Sequence, residues 1–117
     1  MATTSTRVVT ITNTGDVSST NALSAAVNGA APGSITIHTL SAGDNTITVP
    51  TGGSTVKGAT IIPPSGNAQT ITLKGAGGDT GIPLSKVDPT SIGFETAPAS
   101  FILNAGGIIT GLRIHWT

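Results

Sequence analysis

The sequence predicts an all-β protein, a single antiparallel β-sandwich that is jelly-roll-like, with at most one short helix near residues 20–28. Eight short segments with strand signals follow one another from residue 34 onward, and Gly, Pro, Asn or Asp separates them. Within these segments, apolar β-branched residues alternate with Thr, Ser and charged residues, as in strands with one buried face. The length of 117 residues is that of one domain.

Composition excludes several kinds of site. The chain has no cysteine, which rules out a disulfide, a thiolate metal site and a cysteine nucleophile. Only 9% of residues are charged and the net charge is zero, so we expect no basic patch and no direct binding of nucleic acid. Neither a membrane-spanning run nor a signal peptide is recognisable, so we expect a protein made in a cytoplasm, neither secreted nor membrane-bound. We also expect no cofactor.

The N-terminal part divides into three pieces. Residues 1–6 are small and polar, which predicts a flexible arm, and residues 7–117 are expected to form the single domain. Residues 7–12 read as a first strand. Residues 18–29 are the one helix candidate, because Leu23, Ala26 and Val27 follow a cluster of capping residues at helical spacing and Gly29 can end a helix.

Residues 54–81 are interpreted as a hairpin around which the chain is organised. Its arms are residues 55–62 and 69–74. Pro63 and Pro64 remove backbone donors between the arms, and Gly66 with Asn67 can adopt positive φ, so both strands must stop here.

The remaining strands and the core follow from the alternation. Strands are predicted at residues 34–40, 45–49, 55–62, 69–74, 81–84, 91–95, 100–104 and 108–116. Their apolar positions predict a core of Ile35, Ile37, Ile47, Val49, Val56, Ile62, Ile71, Leu73, Phe101, Leu103, Leu112, Ile114 and Trp116.

Two chemical motifs overlap in residues 74–81. The glycines suggest a phosphate-binding loop, but the ending of such loops and the helix that follows them are missing, so a loop that needs positive φ is the better interpretation. Asp79, Thr80 and Gly81 match the tripeptide of aspartic proteases, whose paired carboxylates need a rigid, buried loop. Glycines precede the tripeptide and Ile82-Pro83 follows, which favours a chance match, and we expect no enzymatic activity.

Other candidate groups are isolated in the sequence. His38 and His115 lie within strands without a second ligand at metal-binding spacing, so structural or surface roles are favoured. Trp116 is in phase with Leu112 and Ile114, which favours a buried position over an exposed platform for sugar or protein. The five acidic residues, which lie in or beside turns, are Asp16, Asp44, Asp79, Asp88 and Glu95.

The segments VKGATIIPPSGN (56–67), TITLKG (70–75), GDTGIPL (78–84) and GLRI (111–114) resemble small β-rich structural proteins in virions of tailed bacteriophages. The resemblance implies a capsid decoration (cement) protein that forms a trimer or higher ring on the major capsid protein and stabilises the shell, with a small tail or head–tail component as the alternative. It implies no catalytic residues. Candidate contacts, chosen from termini and loops, are Thr6, Arg7, Pro63, Pro64, Gly77, Asp79 and Ile82.

Two alternatives stay open. Residues 21–37 resemble the initial segment of a parallel β-helix, although no later segment recurs at a fixed period. A carbohydrate-binding module, a function of another class, would need an exposed aromatic pair, and only Trp116 is suited to such a role.

Overall fold

The structure of the protein, a computed structural model, describes residues 3–13, 19–29, 35–50 and 56–117, and these form β-strands joined by loops and turns. No helix occurs in these ranges, and therefore none that could cross a membrane. The strands are β1 (Thr3–Asn13), β2 (Ser19–Gly29), β3 (Ile35–Leu40), β4 (Gly43–Thr48), β5 (Gly58–Ile62), β6 (Ile71–Lys74), β7 (Ile82–Pro83), β8 (Thr90–Gly93), β9 (Ser100–Ala105) and β10 (Ile109–Trp116).

Strands β3 to β10 form a jelly roll. One sheet has the order β3-β10-β5-β8 and the other β4-β9-β6-β7, and all pairings are antiparallel. The chain therefore folds back on itself in four nested pairs, in which β3 meets β10, β4 meets β9, β5 meets β8 and β6 meets β7. This nesting of eight strands in two packed sheets defines the jelly roll and confirms the predicted fold class.

The alternation of side chains explains why these segments form strands. In β10 this alternation is interrupted once, and a β-bulge accommodates the interruption. Ile109, Leu112, Ile114 and Trp116 are all buried, yet the first two are three positions apart. A register shift between Thr110 and Leu112 supplies the extra residue, and Gly111 within it has φ of 84°. This bulge brings the rest of β10 back into phase with the core.

The helix expected near residues 20–28 is a strand instead. β2 pairs with β1 along its whole length, from Ser19 opposite Asn13 to Gly29 opposite Thr3. An isolated helix of this length is marginal in water, and its Ser, Thr and Asn residues compete with the helical backbone hydrogen bonds. Pairing with β1 provides backbone partners over eleven residues, so the long-range contact overrides the local helical spacing.

The hairpin expected at residues 54–81 is also not formed, because β5 and β6 belong to different sheets. The segment between them has the predicted positive φ at Gly66, where φ is 74°, but not at Asn67. The Asn67 N–H donates to the Pro64 carbonyl oxygen at 3.1 Å. The Pro-rich segment is therefore a crossing from one sheet to the other. Pairing of β5 with β10 and of β6 with β9 satisfies the backbone groups that a hairpin would have used.

The core lies between the two sheets and is mainly aliphatic, with Phe101 and Trp116 as its aromatic members. Of the predicted core residues, Ile62 and Leu73 are half-buried, and Ile35 and Ile37 are exposed at 52% and 72%. Those two isoleucines are wrongly predicted, because β3 turns its other residues inward. The buried apolar residues are Leu40, Ile47, Val49, Val56, Ala59, Ile61, Ile71, Phe101, Leu103, Ala105, Ile109, Leu112, Ile114 and Trp116.

The N-terminal strands form a two-stranded sheet of their own, with the order β1-β2. β1 begins at Thr3, so four residues of the expected arm take part in strand pairing, while Met1 and Ala2 lie outside the described residues. The division into an arm and a single domain stays a prediction.

Candidate interaction surface

The two sheets of the jelly roll differ in their outer faces. On the sheet that contains β4, the outward residues are mainly polar, and three of them are bound to one another. Asp44 Oδ1 accepts hydrogen bonds from Asn104 Nδ2 at 2.7 Å and from Lys74 Nζ at 3.1 Å. The hydrogen bond from Asn104 and the ammonium group of Lys74 lower the pKa of the Asp44 carboxyl. On this face Asp44, Asn104 and Lys74 thus satisfy one another.

The outer face of the other sheet carries an apolar patch, which we call the β3 face; it consists of Ile35, Ile37 and Ile62 with Arg113 and His115 among them. The polar residues that border it on the same face are Thr39, Thr60, Ser91 and Thr110. Register places Arg113 between Ile37 on β3 and Ile62 on β5, and His115 beside Ile35. Two of the three isoleucines are more than half exposed. A cluster of large apolar residues at the surface, with a single fixed charge among them, is typical of a surface that binds another protein.

The inward side of β3 explains why these isoleucines face outward. Trp116 is fully buried, and its Nε1 donates to Thr36 Oγ1 at 2.9 Å. Thr36 Oγ1 in turn lies 2.7 Å from His38 Nε2. A buried indole N–H needs an acceptor, and Thr36 can provide it only from the inner side of the strand. Since residues alternate between faces, Thr36 and His38 facing in requires Ile35 and Ile37 to face out.

His38 is expected to make the stability of the protein depend on pH. Partial burial lowers its pKa from the ordinary value of 6.5, because desolvation disfavours the imidazolium. The hydroxyl of Thr36, which accepts from Trp116, can donate to the neutral His38 Nε2. Protonation of His38 removes this acceptor.

We therefore expect the free energy of unfolding to fall as the pH drops below 6.5. In that range the unfolded chain takes up a proton that the folded chain resists, whereas well above 6.5 His38 is neutral in both states and adds no pH dependence. Urea unfolding between pH 8 and pH 5 measures this, and His38→Gln should reduce the slope. An unchanged slope in that variant would exclude His38 as the origin.

His115 adds an unpaired polar atom to the β3 face. Its Nε2 is buried and has no hydrogen-bond partner among the described residues. Its neighbours across the sheet are Ile35 on one side and Thr60 on the other. The Thr60 hydroxyl is used elsewhere, since it donates to Ser91 Oγ at 3.3 Å.

The contact residues chosen from the sequence are scattered over the structure. Thr6 and Arg7 belong to β1, where they pair with Ala26 and Ala25, and their side chains lie outside the described residues. Pro63 is buried and Pro64 half-buried, so this turn exposes less surface than expected.

The other three candidates lie close together in sequence and at the surface. Gly77 and Asp79 are exposed in the loop between β6 and β7, and Ile82 is 63% exposed in β7. The structure brings Asp79 and Ile82 together at one cavity. None of the seven candidates belongs to the β3 face, which sequence reasoning missed.

The loop between β6 and β7 satisfies its own polar groups. Asp79 Oδ2 accepts from the Ala76 N–H at 2.8 Å, and Lys74 Nζ donates to the Gly77 carbonyl oxygen at 3.2 Å. Asp79 is exposed, whereas a pair of carboxylates that shares a proton needs a buried loop. Gly81 has φ of 80°, as expected for a loop that requires positive φ. This geometry supports neither the protease nor the phosphate-loop interpretation.

The aromatic and histidine side chains give no other site. Trp116 is buried, as expected, and Phe101 packs against it with ring centroids 6.1 Å apart. His38 and His115 occupy adjacent strands, β3 and β10, but His38 faces inward and His115 outward. Within the described ranges, no three His, Cys, Asp or Glu residues are grouped so that they could hold a metal ion.

Fold and surface together define a class: an eight-stranded jelly roll with one mainly polar outer face and an apolar patch on the other. Comparison of the chain with protein-family models, with curated proteins and with solved structures finds no match.

Proposed function

We propose that this protein is a structural virion protein of a tailed bacteriophage, a capsid decoration (cement) protein that self-associates and stabilises the shell. The observation that carries the proposal is the β3 face. Burial of an exposed isoleucine is worth about 1.5–3 kcal/mol, and this face leaves both Ile35 and Ile37 available to a partner.

Three further observations support an assembly function. The jelly roll is an architecture that viral capsid proteins use, although lectins and other proteins use it as well. The charged fraction of 9% and the zero net charge give little electrostatic protection against self-association. The segments named above resemble virion structural proteins.

Self-association through the β3 face is geometrically reasonable because β3 is an edge strand. An edge strand presents unpaired backbone groups, and a neighbouring subunit can pair with them while it covers the adjacent apolar side chains. Binding of this kind stabilises a shell by mass action and needs no chemistry. The partners in this proposal are further copies of the chain and the major capsid protein, and the location is the virion, after synthesis in the host cytoplasm.

The carbohydrate-binding alternative has less support. A sugar platform uses exposed aromatic rings, and the whole chain has one Trp, two Phe and no Tyr. Trp116 and Phe101 are buried, and Phe94 is half-buried. No pair of exposed rings can therefore form. The other alternative, a small tail or head–tail component, would use the same β3 face as a decoration protein.

The first test is the native mass of the purified protein over a concentration series, by sedimentation, followed by its binding to shells that lack it. We expect a discrete trimer or higher ring and co-sedimentation with the shells. Absence of the protein from purified particles of its source would overturn the proposal. Its position on those particles, seen by electron microscopy, distinguishes a decoration protein from a tail component.

A further inference from the structure

A cavity of about 410 Å³ lies between the two sheets, at the side of the jelly roll where β7 and β8 are neighbours without being paired. Leu73 and Ile82 line it from one sheet and Ile92 from the other. Phe94 and Phe101 also contribute to its wall. β7 has only two residues, Ile82–Pro83, so this edge of the sandwich is covered by little chain.

The lining of the cavity is almost entirely apolar, and the charged groups near it are already engaged. Lys74 Nζ is bound to Asp44 Oδ1 at 3.1 Å, and Asp79 Oδ2 accepts a backbone hydrogen bond from Ala76 at 2.8 Å. A charged ligand would have to give up hydration without a free partner for its charge. The lining therefore selects an uncharged, apolar ligand.

The size of the cavity sets the size of the ligand. Ligand sites in proteins commonly measure about 300–1,000 Å³. An engineered apolar cavity of about 150 Å³ in another protein takes up benzene, so a cavity of 410 Å³ has room for a molecule with more carbon atoms than benzene. From these observations we propose that the cavity binds one small, uncharged apolar molecule of the size of a medium-chain alcohol.

A second copy of the chain on the β3 face would leave this cavity open. β3 and β8 are at opposite edges of the same sheet, and the cavity lies beside β8. The β3 face is also the outer side of that sheet, whereas the cavity lies on its inner side. The ligand site is thus independent of the surface proposed for assembly, and either can fail without the other.

The chain carries its own reporter for this site. Phe101 lines the cavity, and its ring centroid is 6.1 Å from that of Trp116, the single tryptophan of the chain. We expect that titration with 1-octanol changes the Trp116 fluorescence in a saturable manner with one site per chain, and that octanoate, its anionic counterpart, binds about tenfold more weakly or less.

Two variants locate the site. Ile82→Asp places a carboxylate at the cavity, and octanol binding should weaken about tenfold or more. Since Ile82 is 63% exposed, the variant should still fold. Ile108→Asp is the matched control, because Ile108 is 71% exposed in the turn between β9 and β10 and does not line the cavity. Ile92→Phe, which fills the cavity, should also weaken binding.

Three results would overturn the proposal. The first is the absence of a saturable signal up to the solubility of octanol. The second is equal affinity in the Ile82→Asp and Ile108→Asp variants. The third is an affinity that falls as the protein concentration rises, which would assign the cavity to a side chain of a second copy.

Discussion

Replacement of Ile37 by aspartate is expected to weaken self-association strongly while the monomer stays folded. Ile37 is 72% exposed, so its removal costs the isolated chain little. Arg113 lies directly opposite on β10 and can pair with the new carboxylate. In an interface, however, the variant loses an apolar anchor and must desolvate a charge, which costs about 2–5 kcal/mol. The dissociation constant should rise by a factor of roughly 30 to several thousand.

Sedimentation of Ile37→Asp beside Thr48→Asp measures this effect. Thr48 is also exposed on a strand, but on the outer face of the other sheet, so it controls for added negative charge. The Thr48 variant should keep the native mass of the unsubstituted protein. If both variants associate alike, the β3 face is not the interface. Circular dichroism of both proteins verifies that they are folded.

The largest effect on stability is expected from Trp116→Ala. Trp116 is fully buried, packs against Phe101 and donates its indole N–H to Thr36. Truncation of a buried Trp to Ala costs about 3–5 kcal/mol, because it loses the apolar contacts and leaves a cavity. A domain has only about 5–15 kcal/mol of stability in total. The urea midpoint, followed by far-UV circular dichroism, should therefore drop sharply.

A second substitution separates the hydrogen bond of Trp116 from its packing. Thr36→Val removes the acceptor, keeps the shape of the side chain and leaves the buried indole N–H unsatisfied, which costs about 1–3 kcal/mol. Thr39→Val on the same strand is the control, because Thr39 faces solvent. Equal stability of the two variants would show that this hydrogen bond does not hold β3 in its orientation.

Much of the fold was predictable because strand signals are local. The eight strands of the jelly roll all lie within the predicted segments or within two residues of them, and turn residues such as Gly66 adopt the expected backbone conformation. Trp116 was correctly placed in the core from its phase with Leu112 and Ile114. These features depend on neighbours in the sequence, where alternation and turn chemistry carry information.

The candidate site was not predictable by the same means. Both parities of β3 contain apolar residues: Ile35 and Ile37 on one side, Leu40 on the other. Alternation alone cannot decide which of these two sides faces the core. The two isoleucines outnumber the leucine, so a count of apolar residues favours the side that the structure turns outward. A signal was nevertheless present, because a buried Trp116 needs an acceptor and Thr36 can supply one.

The sequence by itself determined the all-β class, the positions of the eight strands of the jelly roll, a mainly aliphatic core and a surface poor in charge. Tertiary structure decided which strands pair, and with that the separation of β5 from β6, the strand at residues 19–29 and the outward direction of Ile35 and Ile37. The physical reason is that a strand gains its stability from partners far away in the chain. Register and the inward side are therefore properties of the pair and not of either segment.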